Sequence, residues 1–395
     1  MSGRVVVIGG GVIGLSTALY LQRAGWQVTV VERGAPEHDS CSLGNAGMIV
    51  PSHFVPLAAP GMVAYGLKRL ADPESPFALS PRLSPDLIRW GWRFMRSCTK
   101  AHVDRSVGVL RDLNLRSRAL YEELSGSLDD DFGLTQRGLL MLCKEASTLE
   151  EESHFGARAR ELGIPAETVS SDRLRELDPD IDLSVAGGVF FPKDCHLSPG
   201  RFVAAATREL QRGGATFVWE TEATGWSIQS GRVVEVVTTN GRFGADHFVV
   251  AGGAWSPAAA RGLGLRLPMQ AGKGYSMTLP APPQLPRLCS ILVEARVAVT
   301  PMGNTLRIGG TMEIAGNDLS VNERRVDGIR KSIPRYFPKF RTDDFRGVPV
   351  WSGLRPCSPD GLPYLGPVAG VSGAWVATGH AMMGLSLAPI TGRIV

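Results

Sequence analysis

The chain has 395 residues, 44% hydrophobic and 20% charged, enough for two or three domains with a large core and unlike a disordered chain. A net charge of +4, evenly spread, gives no sign of a nucleic-acid binder. Six scattered cysteines form no C-x-x-C pair and no zinc spacing, so no metal is expected and a reducing, cytoplasmic location is the default, while 47 glycines exceed ordinary usage and require a local cause.

Val5-Val6-Val7-Ile8 is a β-branched run of buried parallel-strand type. Gly9, Gly11 and Gly14 then form a G-x-G-x-x-G turn, and apolar residues continue at helical spacing to Ala24-Gly25. Val28–Val31 is a second strand, followed by Glu32 and Arg33. The uncharged stretch Val5–Gln22 resembles a signal peptide or anchor, but it has four glycines among its first ten residues and no A-x-A site; a strand–turn–helix unit explains it better. No other stretch is long and apolar enough to span a bilayer.

The chemistry of this βαβ unit is that of a dinucleotide site. Gly9 permits the tight turn, Gly11 admits the pyrophosphate to the backbone, and Gly14 lets helix and strand pack closely. The helix start, Val12 and Ile13 included, offers free N–H groups and partial positive charge to phosphate. Glu32 lies where a carboxylate accepts hydrogen bonds from an adenosine ribose, which disfavours NADP.

The turn alone leaves FAD and NAD open; three features favour FAD. The motif occurs once. Arg232–Phe243 reads as a hairpin about Asn240-Gly241, followed by a strand ending in Ala251-Gly252-Gly253-Ala254-Trp255. Trp375–Thr378 reads as a strand entering a turn at Gly379-His380, then a helix beginning near Ser386 that puts another helix start near the cofactor.

Taken with Ser42-Leu43-Gly44-Asn45-Ala46-Gly47-Met48 and Gly353-Leu354-Arg355-Pro356, these motifs make the chain resemble the D-amino-acid oxidase/dehydrogenase family of flavoproteins over nearly its whole length, bacterial D-amino-acid dehydrogenases above all. The resemblance implies an α/β fold with a Rossmann-like FAD-binding domain (1–80, 196–258, 345–395) interleaved with an antiparallel-sheet substrate domain (81–195, 259–344). It implies cofactor contacts from Gly9, Gly11, Val12, Ile13, Gly14, Glu32 and Arg33; from Ser42, Asn45, Ala46, Gly47 and Met48; from Ala223, Ala251, Gly252 and Trp255; and from Gly353, Arg355, Gly379, His380, Met383 and Gly384. Arg355 is expected to hold the substrate carboxylate as well, since a guanidinium does so with defined bidentate geometry. Tyr275 and His53 are further pocket candidates.

Aligning Ser358-Pro359-Asp360 with the sarcosine oxidases sets their flavin-tethering cysteine opposite Gly353, not Cys357, so non-covalent FAD is expected. Glu294 and Arg296 stand where related oxidases carry tyrosines, which suggests a more polar pocket. The expected reaction is hydride transfer from the substrate α-carbon to flavin N5, giving an imine and then a 2-oxo acid, with electrons passed to a quinone or electron-transfer chain. Oxidation of a secondary amine such as hydroxyproline, proline or sarcosine, an oxygen-using oxidase, and a flavin-binding subunit without turnover of its own remain alternatives.

Pro51–Pro60 leads away from the nucleotide core, and Pro73, Pro76, Pro81 and Pro85 precede a helical region. Ile88, Trp92 and Met95, then Val109, Leu110, Leu113 and Leu120, recur at helical spacing and are expected to face the core. Arg89, Arg93, Arg96, Lys100 and Arg105 on the same stretch leave open peripheral contact with the inner face of the cell membrane.

Overall fold

The computed structural model describes residues 3–37, 40–69, 72, 74–80, 82 and 84–395; Pro73 and Pro81 lie outside the described residues. Among these, six strands form one sheet in the spatial order Tyr364–Pro367, Ala374–Thr378, His247–Val250, Arg4–Ile8, Gln27–Val31 and Thr216–Val218. All neighbours are parallel except the first pair. Strands buried on both faces require largely apolar runs, and Val5–Ile8 and Val28–Val31, broken only by the half-buried Thr29, supply them. The helix Val12–Arg23 follows the first strand directly and packs beside the last helix, Gly384–Ile394. Their approach is very close: a Cβ on Gly392 would meet Ser16 O at 2.5 Å.

A larger mixed sheet runs Val350–Cys357, Gln270–Leu279, Thr305–Ile314, Val297–Met302, Cys289–Leu292, Leu139–Cys143, Gly187–Phe191 and Glu167–Ser170, with Phe77–Leu79 paired beside Thr305–Ile314. Helix Glu323–Tyr336 contributes Val326, Ile329, Ile333 and Tyr336 to the core on this sheet. The segment boundaries expected from sequence therefore shift. Val350–Cys357 and Phe77–Leu79 belong to the second sheet, because Val350–Cys357 pairs residue for residue with Gln270–Met277. The Arg355 strand is thus an edge of the second sheet, while the chain returns to the first sheet only at Tyr364.

A short antiparallel ladder ties the two parts together, Met48 opposite His196 and Ile49 opposite Cys195.

The long helix Lys100–Ser127 buries Leu110 and Leu120 as expected, but Pro85–Ser97 does not bury its predicted face. Ile88, Trp92 and Met95 are 66%, 52% and 53% exposed, and Val109 is also exposed. The inward residue is Trp90, whose indole Nε1–H donates to Cys357 O at 2.9 Å and turns the apolar stripe outward. No helix among the described residues is long and apolar enough to cross a membrane.

Candidate active site

One cavity of about 950 Å³ lies between the two sheets. Every residue expected to contact cofactor or substrate lines it except Gly14, Gly47 and Gly379. Gly9 has φ +114°, a conformation that residues with a side chain rarely adopt, and a Cβ on Gly14 would stand 1.8 Å from Gly9 O. The strand, turn and helix can meet in this way only with glycine at both places.

The nucleotide end follows from this crossing. Gly11 precedes Val12–Arg23, whose first turn contains no acidic residue. A Cβ at Gly11 would meet only the Ser42 hydroxyl, at 3.3 Å, and would otherwise fill the cavity. The Val12 N–H donates to Ser42 Oγ at 3.0 Å, which fixes the 42–48 loop against the helix start. Glu32 accepts from Gly10 N at 2.6 Å and from Gly34 N at 2.8 Å, so its carboxylate is held at the cavity wall. The Arg33 guanidinium stacks 3.4 Å from the Trp255 ring centroid, on the same wall as Ala223, Ala251 and Gly252.

The 42–48 loop is held from below by the second sheet. Arg307 donates from Nη1 to Leu43 O and Asn45 O, and Ser276 Oγ donates to Gly44 O. Asn45 Oδ1 accepts from Gly47 N at 2.9 Å. The Trp351 indole fills the space that Cβ atoms on Gly44 and Gly353 would occupy.

Arg355 reaches back across the neighbouring strand. A Cβ on Gly274 would stand 2.1–2.3 Å from its guanidinium, so Gly274 forms the bed on which that group lies. Its one hydrogen bond among the described residues is from Nη1 to Thr311 O at 2.7 Å, and Thr311 holds the left-handed φ of +70°. Burial lowers its pKa from the ordinary guanidinium value, and no carboxylate pairs with it among the described residues. A desolvated guanidinium facing a cavity without a counter-ion is a receptor for an anion.

Tyr275 lines the cavity, but its hydroxyl donates to Glu313 Oε2 at 2.6 Å, and burial raises its pKa. Glu313 is also within 3.8 Å of Lys273 Nζ, which is 1% exposed and completes its coordination on Asp318 and Ser320 O. His53 lines the cavity beside Arg296, and burial lowers its pKa to about 4. His380 is 2% exposed and its Nε2 shares a hydrogen bond with Thr391 Oγ1, so its imidazole is turned toward the last helix.

Of the pair expected to make the pocket polar, only Arg296 lines it. Glu294 accepts from the Lys144 and Glu145 amides and from the Tyr336 hydroxyl, so it points away. Cys357 is fully buried behind the wall, and burial pushes its thiol up to about 12. Cys41, not singled out from sequence, does line the cavity.

The size of the cavity, the acid-free helix start and the small-residue bed define a dinucleotide-binding protein with an anion receptor in the same cavity. Comparison with known proteins gives the family. Residues 4–395 match the DAO family, described as FAD dependent oxidoreductase, and the chain belongs to it. It is therefore an FAD-dependent oxidoreductase. It is 32% identical over 399 residues to a D-amino acid dehydrogenase of Cereibacter sphaeroides, covering 99% of this chain and 90% of that one. It is 30% identical over 401 residues to a D-amino acid dehydrogenase of Vibrio vulnificus, covering 99% and 94%. The crystal structure of glycine oxidase from Geobacillus kaustophilus matches with a TM-score of 0.77 and 26% identity over 100% of this chain and 94% of that chain.

Gly274→Ala is expected to displace the Arg355 guanidinium while leaving FAD bound. Binding of acetate, read from its perturbation of the flavin absorbance, should weaken by about tenfold or more, the scale of a lost hydrogen bond to a charged group. Unchanged acetate affinity would show that the guanidinium does not need this bed.

Proposed function

We propose that this chain oxidises free amino acids, D-amino acids first among them, to 2-oxo acids and ammonium. The observation that carries the reading is the Arg355 guanidinium, on a half-buried side chain, without a carboxylate partner among the described residues and lining the flavin cavity. The D preference draws support from the names of the relatives. When bound, FAD accepts a hydride from the substrate α-carbon. Arg355 holds the α-carboxylate and so limits the substrate to a few orientations, which is where most of the protein's contribution lies. The apolar wall built from Val50, Ile291, Ala298 and Met312 excludes water from the transfer. Anaerobic mixing with D-, L- and N-alkyl amino acids tests this: D-amino acids should bleach the flavin fastest, and Arg355→Ala should raise KM steeply with FAD retained. Preferential bleaching by N-alkyl amino acids would reassign the substrate to secondary amines, and no bleaching by any would overturn the reading.

FAD is held without a covalent bond in this proposal, since Cys357 is off the cavity wall. Acid precipitation should release all the flavin; colour left in the pellet would mean a tether, with Cys41 the first thiol to test.

The electron acceptor is a membrane quinone. The supporting feature is the cavity rim, where the exposed Leu67, Met95 and Met382 line the cavity, with Lys68 and Arg69 on the helix Met62–Arg69 and Arg89, Arg93 and Arg96 on Pro85–Ser97. Apolar anchors with a basic collar favour contact with an anionic bilayer. The protein should sediment with vesicles containing phosphatidylglycerol, and Ile88→Ser with Trp92→Ser should abolish this without slowing flavin bleaching. Absence of vesicle binding in the unmodified protein, or reoxidation by dioxygen faster than by a quinone analogue, would overturn it.

A further inference from the structure

A buried carboxylate without an ion pair among the described residues sits one hydroxyl and one imidazole away from the cavity. Asp194 is 0% exposed, and no cation forms an ion pair with it among the described residues. Its two oxygens are held by one residue: Ser52 N–H donates to Oδ1 at 3.1 Å and Ser52 Oγ–H donates to Oδ2 at 2.5 Å. The fold brings them together because Ile49 is paired opposite Cys195, so the residues just past Ile49 run alongside the residue just before Cys195. The Ser52 hydroxyl is also 3.0 Å from His53 Nδ1.

The donor count then fixes the tautomer. An ionised carboxylate only accepts, and a hydroxyl has one proton to give, so Ser52 donates to Asp194 and accepts from the His53 Nδ1–H. That leaves Nε2 as the acceptor of the ring, with no hydrogen-bond partner among the described residues, on a side chain that lines the cavity.

We propose that His53, Ser52 and Asp194 form a proton relay that takes the ammonium proton of the amino acid substrate before hydride transfer. The inference rests on the amino acid reading above. An ammonium nitrogen has no lone pair with which to stabilise the carbon that loses hydride, so the amine must first become neutral. The substrate N–H bond breaks as His53 Nε2–H forms; His53 Nδ1–H passes to Ser52 Oγ; the original Ser52 Oγ–H passes to Asp194 Oδ2. One proton moves in total, no electron moves, and His53 ends neutral as the other tautomer. The relay turns an ammonium and a carboxylate into an amine and a carboxylic acid, so a desolvated cavity ends with two fewer charges.

The electrostatics make Asp194 a better proton acceptor than an ordinary carboxylate. Burial, opposed by the two Ser52 hydrogen bonds and more weakly by the charge of Arg118, raises the Asp194 pKa to about 7. Burial and Arg296 hold His53 down to about 4, so the imidazole conducts a proton and does not store it. The other groups facing Asp194 are the thiols of Cys195 and Cys289, both pushed up by burial. Arg118 is itself paired with Glu122 at 2.7 Å.

The relay is testable without turnover. 2-Aminoisobutyrate carries the ammonium and carboxylate of a substrate but has no hydrogen on its α-carbon. Its binding to the FAD-loaded protein should produce a carboxylic-acid C=O band in the infrared difference spectrum. The band should be present in wild type and Ser52→Thr, which keeps a hydroxyl, and absent in Ser52→Ala and Asp194→Asn. In stopped-flow with any amino acid that bleaches the wild type, the flavin reduction rate should rise with pH through about 7, as Asp194 ionises. Asp194→Asn and Ser52→Ala should reduce it about 10²-fold at pH 7, with recovery at alkaline pH where the amine is neutral unaided. Should Asp194→Asn not retain FAD, the Ser52→Ala and Ser52→Thr pair decides. A wild type without the band, or Ser52→Ala with an unchanged pH profile, overturns the relay while leaving the bleaching, and so the function, intact. A loss equal at every pH would make these residues structural and overturn it as well.

Discussion

Charge removed from water must be compensated, and the walls of this cavity are organised by where that compensation is supplied and where it is withheld. Lys273 is almost fully buried in the second sheet, and Glu313, Asp318 and Ser320 O satisfy it. Arg355, on the adjacent strand, receives one backbone carbonyl and no anion among the described residues. Asp194 receives a serine and, among the described residues, no ion-paired cation. The two incompletely compensated groups are the ones in contact with the cavity, directly for Arg355 and through Ser52 and His53 for Asp194. A zwitterionic ligand brings the missing anion and the missing proton together.

The two halves of the site use different materials. Toward the nucleotide, the wall is backbone: helix-start amides, the Gly9–Gly14 crossing, and the 42–48 loop supported by Arg307 and Ser276. Toward the substrate, it is side chains on the second sheet and at the end of the 48–53 segment. This division suits a cofactor recognised by its phosphates and planar ring system and a substrate recognised by its charges.

The nucleotide half was legible because it is local. Strand, glycine turn, helix and acid are contiguous, and each residue type has one reason to be there. Arg355 was legible from its setting between Gly353 and Pro356, but its strand was assigned to the wrong sheet, since an edge strand carries no mark of the partner it will choose. The Ser52–Asp194 contact joins residues 142 apart through a two-residue ladder too short for any periodicity to reveal. The stripe of Ile88, Trp92 and Met95 was read correctly as one helical face and wrongly as inward. Spacing identifies a face; it does not say whether protein or something else covers it. Glu294 was misplaced because a carboxylate beside a pocket-lining strand can equally cap the Lys144–Glu145 turn, which it does.

The Trp351 indole lies in the notch between Gly44 and Gly353. One rigid plate therefore touches both the loop that lines the cavity and the strand that carries Arg355. The indole makes the packing of these two walls a single problem, so a larger residue at either glycine would disturb both at once.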